Sequence, residues 1–280
     1  MQSCKYFRQI LLIAAVTWCV LPPERPAKAA DERPSRLLLL GQKPDGHPRL
    51  THEYSAAMRL LSGMLSPYKD IQTIQVSADE PWKEGPELLD GADAAVVFVS
   101  EGAKWLGNDK ARLKAFQQLA KRQGGLVCLH WGMGTRDAEY IEHFVDLFGG
   151  CHGGPDRKYK VVTVTTEFPN PQHPIMSAVK PLRLKEEFYY TLKTPKNVDN
   201  IVPLVRVPID GATHTVGWAW ERPDGGRSFG FSGLHFHQNW KHDAYRRMVT
   251  QAVLWSLKRE IPKHGVDVKI SPDILTISEK

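Results

Sequence analysis

The distribution of apolar residues constrains this chain most. Arg36–Gly41, Ala92–Ser100 and Gly124–Leu129 are short, nearly continuous apolar runs, and Ile71–Val76 alternates apolar with polar residues. Continuous runs of this length suit strands covered on both faces, as in a parallel sheet. Helix-period segments lie between them. Tyr54, Ala57, Met58, Leu60, Leu61 and Leu65 form a stripe after Thr51. Leu113, Phe116, Leu119 and Ala120 form a second, capped by Asn108 and stopped by Gly124-Gly125, and Ala138–Leu147 forms a third, ended by Gly149-Gly150. This alternation predicts right-handed βαβ units and an α/β fold, a three-layer, doubly wound, mostly parallel sheet.

The second half changes character. Lys160–Thr166 and Ile201–Val207 read as strands, and Thr215–Trp220 with Ser228–Gly233 as a hairpin around Pro223-Asp224-Gly225-Gly226. A last helix is predicted over His242–Leu257. No linker divides residues 36–260, so they read as one domain, with 261–280 as a loose C-terminal extension.

Residues 1–29 read as a signal peptide rather than as fold. Lys5 and Arg8 precede the apolar run Ile10–Leu21, and Ala27-Lys28-Ala29 fits a cleavage site. The run is shorter than the ~20 residues a membrane span needs. The expectation is therefore an exported protein, periplasmic or extracellular, with no stable membrane span after processing. Cleavage lowers the net charge from +6 to +3, since the segment holds Lys5, Arg8, Arg25 and Lys28 against Glu24. What remains has no Lys/Arg cluster interleaved with aromatics, and nucleic acid is not an expected partner. Of four cysteines only Cys128 and Cys151 stay, and they read as two separate buried thiols.

In open parallel sheets, ligands bind at the carboxyl ends of strands. Four histidine segments are candidates for such a place. His47 and His52 follow the first strand. His130 ends Gly125-Leu126-Val127-Cys128-Leu129, before the glycine-containing turn Trp131-Gly132-Met133-Gly134, where a reactive residue would stand exposed as in a nucleophile elbow. His152 sits among four glycines. His235-x-His237 would put two imidazoles on one face of a strand, within reach of a common metal. Glu187 is a candidate general base, and Trp131 and Tyr189 candidate sugar-stacking rings, whereas His173-Pro174 reads as a turn. The sequence has no Gly-x-Gly-x-x-Gly after the first strand and no Gly-Lys-Ser/Thr loop, so no nucleotide cofactor is expected.

Several of these segments together resemble the ThuA-like family, named for trehalose utilisation, which shares the class I glutamine amidotransferase-like (flavodoxin-like) fold. They are Gly125-Leu126-Val127-Cys128-Leu129-His130, Gly149-Gly150-x-His152, His173-Pro174-Ile175, Glu186-Glu187-Phe188-Tyr189, Gly217-Trp218 and Gly226-Arg227-Ser228-Phe229 leading to Gly233-Leu234-His235. Amidotransferases carry a nucleophilic Cys at the elbow where His130 stands here, so the resemblance implies the fold without amidotransfer. It implies carbohydrate catabolism, with a glycoside or keto-sugar as the small-molecule partner. The expected catalytic residues are His130, His152 and Glu187, the substrate-binding residues His47, Trp131 and Tyr189, and the ligands of a divalent metal His130, His152, His235 and His237. The family's histidine near the last strand matches His235 or His237. The alternative is a non-catalytic carbohydrate-binding protein whose imidazoles are simply hydrogen-bonded.

Overall fold

The computed structural model describes residues 33–196 and 200–277, and the signal-peptide segment lies outside them. Seven strands form the central sheet: β1 (Ser35–Gly41), β2 (Ile71–Ser77), β3 (Ala94–Val97), β4 (Gly125–Leu129), β9 (Ile201–Ile209), β10 (Ala212–Glu221) and β11 (Arg227–Phe231). Their order is β2-β1-β3-β4-β11-β10-β9. The first five in that order are parallel, and β10 and β9 add an antiparallel edge. Between β4 and β9 lie two small pairs: β5 (Gly134–Thr135) with β6 (His152–Gly153), and the antiparallel β7 (Lys158–Thr165) with β8 (Arg183–Tyr190).

The helices are α1 (Tyr54–Leu65), α2 (Gly85–Asp90), α3 (Gly102–Gly107), α4 (Lys110–Lys121), α5 (Ile141–Phe148) and α6 (Asp243–Ser256). Helices α1 and α6 touch each other and lie against the sheet, while α3, α4 and α5 form a second packed group. Covering both faces is why the apolar runs are continuous: Leu37–Leu40 and Leu126–Leu129 are all buried. The α/β architecture thus follows from the strand-and-helix alternation.

Details differ from the sequence reading. The α4 cap is Asp109, whose carboxylate accepts from the backbone N–H groups of Ala111 at 2.8 Å and Arg112 at 3.0 Å. Asn108 instead ends α3, a short helix hidden in a glycine-flanked segment. β3 is shorter than its apolar run, because Phe98 and Val99 are buried beyond the ladder. The tail is not loose. Val266 and Val268 are buried, and Arg246 and Arg247 of α6 donate to their carbonyls at 2.8 and 3.1 Å.

Candidate functional site

The carboxyl ends of β1, β4 and β11 share one edge of the sheet, and each delivers a histidine there. The loop after β1 brings His52, β4 runs directly into His130, and the loop after β11 brings His235. The two loops are tied together: the His52 N–H donates to the His235 carbonyl at 3.1 Å, and the His237 N–H to the Leu50 carbonyl at 2.8 Å. Chain direction reverses tightly at the centre. His130 has φ +44°, a left-handed conformation that costs a non-glycine residue about 1–2 kcal/mol. Close packing imposes this turn, since a Cβ on Gly132 would lie 2.4 Å from the Val97 carbonyl oxygen.

Three ring nitrogens converge. His52 Nε2 and His130 Nε2 are 3.0 Å apart, His130 Nε2 and His235 Nδ1 3.1 Å, and His235 Nδ1 and His52 Nε2 3.0 Å. Their tautomers follow from the opposite ring nitrogens. His130 Nδ1 lies 2.7 Å from the Ser232 carbonyl oxygen, which only accepts, so that nitrogen carries the proton. His52 Nδ1 faces Asp45 Oδ2 at 3.2 Å, and Tyr54 donates its hydroxyl hydrogen to the same oxygen at 2.6 Å. His52 Nδ1 is therefore also the protonated nitrogen. Two bare lone pairs point at each other. Ligand nitrogens of a tetrahedral site with metal–nitrogen bonds of about 2.0–2.1 Å lie ~3.3 Å apart, so the triangle fits a divalent ion. An Asp behind a ligating His is a frequent support for such an ion.

Burial is the main force on these groups. It pushes His130 well below its ordinary pKa, helped by the neighbouring His52 and His235, and takes His235 down to about 3. Burial also lowers His52, against the opposing pull of Asp45. The Asp45 carboxyl would rise on burial alone, but hydrogen bonds from His52, Tyr54 and His47 hold it far below the usual carboxylate range. The imidazoles are thus neutral, the form that binds metal.

Strand β8 supplies the other wall. Its two-residue period puts Glu187 and Tyr189 on one face and Glu186 and Phe188 on the other. Glu187 Oε1 lies 3.5 Å from His235 Nδ1 and 3.9 Å from His130 Nε2. Burial pushes the Glu187 carboxyl up to about 7, opposed by His47. The Tyr189 hydroxyl is 3.0 Å from His130 Nε2. Glu186 is fully buried and does not face the cleft. Its carboxylate accepts from the backbone N–H groups of Glu187, Leu234 and Phe236 and from the Asn239 amide, at 2.8–3.4 Å, and so clamps the loop that carries His235.

The expected site residues fall out as follows. His47, Trp131, His152, Glu187, Tyr189 and His235 line one open cleft, about 470 Å³ with the solvent space at its mouth included. His130 lies directly beneath it, fully buried rather than exposed as at an elbow, because the loops from β1 and β11 close over it. Tyr189 offers no stacking face. Its ring is parallel to both His130, centroids 4.4 Å apart, and His152, centroids 3.9 Å apart, so only its hydroxyl serves the site. That sandwich also keeps His152 out of the nitrogen triangle. His235 and His237 do not share a strand face, since residues after Phe231 leave the sheet and a 3-10 turn begins at His237. His235 joins the cluster, whereas His237 is buried elsewhere with its Nε2 unpartnered. Sequence reasoning placed His52 near the strand end without making it a ligand. It missed Asp45, and the pattern Asp45-x-His47-x₄-His52 was the available signal.

Comparison with known proteins identifies the family and the fold. The ThuA family, described as trehalose utilisation, matches residues 44–256. No curated protein matches the chain. Among solved structures, a putative ThuA-like protein from Bacteroides uniformis superposes with a TM-score of 0.62 at 16% identity, covering 84% of this chain and 96% of that one. Another, from Parabacteroides merdae, gives 0.59 at 13% identity, covering 86% and 94%. A family match across most of the sequence, with the shared fold, shows that this chain belongs to the ThuA family, whose description is consistent with carbohydrate utilisation.

Proposed function

We propose that the protein is an exported, metal-assisted enzyme of carbohydrate catabolism acting on a glycoside or keto-sugar. One observation carries the metal: the unprotonated Nε2 atoms of His52 and His130 meet at 3.0 Å, an arrangement a bound cation stabilises. His52, His130 and His235 would hold the ion, with Glu187 beside them. A divalent ion there would polarise a sugar carbonyl or hydroxyl.

The remaining roles belong to the chain. Burial raises the Glu187 carboxyl to about 7 in the metal-free protein, and its place beside the nitrogen triangle suits transfer of a proton to and from a sugar carbon or hydroxyl. The Tyr189 hydroxyl stays protonated, because burial raises its pKa far above 10, and it donates a hydrogen bond at the cleft floor. Trp131 lines the cleft but is largely buried. Amidotransfer is disfavoured on chemical grounds. Cys128 is fully buried inside β4 with its thiol pKa pushed well up, and no thiolate is poised to attack an amide.

The test is turnover of 3-keto-glycosides and their parent glycosides by protein expressed without residues 1–29. His130→Ala and removal of the metal should each abolish it. Metal-free protein retaining full activity would end the metal assignment.

A further inference from the structure

The cleft holds a positive charge that the proposed chemistry does not use. Two arginines line it, and they differ in state. Arg136 is ion-paired with Glu101, and its guanidinium lies 5.5 Å from the Trp131 ring centroid. Arg157 is half-buried and has no carboxylate partner among the described residues. Its acidic chain neighbour, Asp156, is bonded to Lys193. One Arg157 hydrogen bond is present, from Nη1 to the Gly154 carbonyl at 3.1 Å, and the Arg157 N–H reaches that same oxygen at 3.4 Å. The turn Gly154–Arg157, made possible by φ +85° at Gly154, therefore fixes the side chain on its own backbone and leaves the other guanidinium donors uncommitted.

Other cleft groups do not neutralise Arg157. Of the cleft carboxylates, Glu187 faces His235 at 3.5 Å and His130 at 3.9 Å, and Asp45 is spent on His52, His47 and Tyr54. The Arg157 charge reaches His152, where it adds to burial in disfavouring protonation. Nearby, Tyr159 is 59% exposed and gives the cleft apolar ring surface of the kind that packs on the C–H face of a pyranose. A fixed, unpaired guanidinium with free parallel donors is the preferred partner of a planar or tetrahedral oxyanion.

We propose that the substrate is an anionic sugar, carrying a carboxylate or a sulfate or phosphate ester, and that Arg157 binds that group. This rests on the reading of the cleft as a sugar site and adds the charge of its ligand. Arg157 is a specificity residue. It holds one end of the sugar on the His152 side while the reacting end lies at Glu187 and the nitrogen triangle.

Calorimetric titration with D-glucose, D-glucuronate and D-glucose 6-sulfate tests it, on zinc-loaded and on chelated protein. At least one of the two anions should bind about tenfold or more tighter than glucose, and their order separates a carboxylate from an ester preference. Arg157→Gln should erase the preference with the unfolding transition unchanged, and Arg157→Lys should retain part of it. Equal binding of all three sugars, binding of none, or a preference that survives Arg157→Gln would overturn the proposal. The chelated protein separates the two proposals. A charge preference without any turnover removes the enzyme and keeps Arg157, whereas turnover of neutral sugars without a charge preference does the reverse.

Discussion

His52 and His130 aim their Nε2 lone pairs at each other across 3.0 Å while their Nδ1 atoms face Asp45 and the Ser232 carbonyl. Two acceptors at that distance repel, and the Tyr189 hydroxyl, 3.0 Å from His130 Nε2, can serve only one of them, which favours a cation between them. Purified protein should therefore carry about one divalent ion per chain. Asp45→Asn, which removes the charge behind His52, should weaken the ion about 10–100-fold. Elemental analysis and chelator competition read both, and an unchanged affinity in Asp45→Asn would detach Asp45 from the metal.

Glu186 acts at one remove. Burial raises its carboxyl to about 7 despite four N–H donors, so the clamp is tight but costly. Glu186→Gln turns one acceptor into a donor facing donors, a loss of about 1–3 kcal/mol. Urea unfolding should show that loss together with weaker metal binding, because the loop carrying His235 is released. Lower stability with native metal affinity would make Glu186 a residue of the fold alone.

His130 combines a strained backbone with a ring in the nitrogen triangle. His130→Ala and His130→Gly should both lose the ion. At φ +44° the glycine variant should nevertheless be the more stable of the two, by about 1 kcal/mol. Equal denaturation midpoints would mean that the surrounding turn relaxes on truncation.

Cys128 and Cys151 are unpaired and buried, and burial raises both thiols well above their ordinary value. Neither should react with iodoacetamide in the native protein at neutral pH, and both should react in urea. Rapid native labelling at Cys151 would revive a thiol-dependent activity.

Stability should fall in mild acid. Burial holds His152 at about 3 and His173 at about 4, below the ~6.5 of an unfolded imidazole. The unfolded chain then binds protons first, so stability is full above pH ~6.5 and is lost as pH drops through those lower values. Glu187, raised to about 7, has the opposite slope between its unfolded value and 7 and offsets part of the effect. His173 Nδ1 accepts the Ile175 N–H at 3.3 Å, and His173→Asn keeps an acceptor without the titration. Melting curves of chelated protein from neutral to acid pH should show the decline, reduced in His173→Asn.

Much of the frame was legible because local periodicity and burial agree. The stripe beginning at Tyr54 became α1 within its expected bounds, and the hairpin around Asp224-Gly225 formed where its turn chemistry placed it. The site was legible only by strand end. His130 and His235 could be placed there, yet whether His235 or His237 turned inward depended on the Glu186 clamp, a contact between residues 48 apart or more that no spacing announces. Tyr189 reads as a sugar-stacking ring in sequence and is a sandwiched one in space, because its two imidazole neighbours come from 59 and 37 positions away. Arg157 left no pattern at all, since its role depends on which acids other side chains have already taken.

The insertion of β11 between β4 and β10 sets a timetable for synthesis. A nascent chain exports His52 and then His130 long before the segment bearing His235 has left the ribosome, and Glu186 waits for the same segment to give its carboxylate a partner. Under the proposed function, ion capture would thereby be postponed until nearly the whole polypeptide is made, and metal loading would mark a finished molecule.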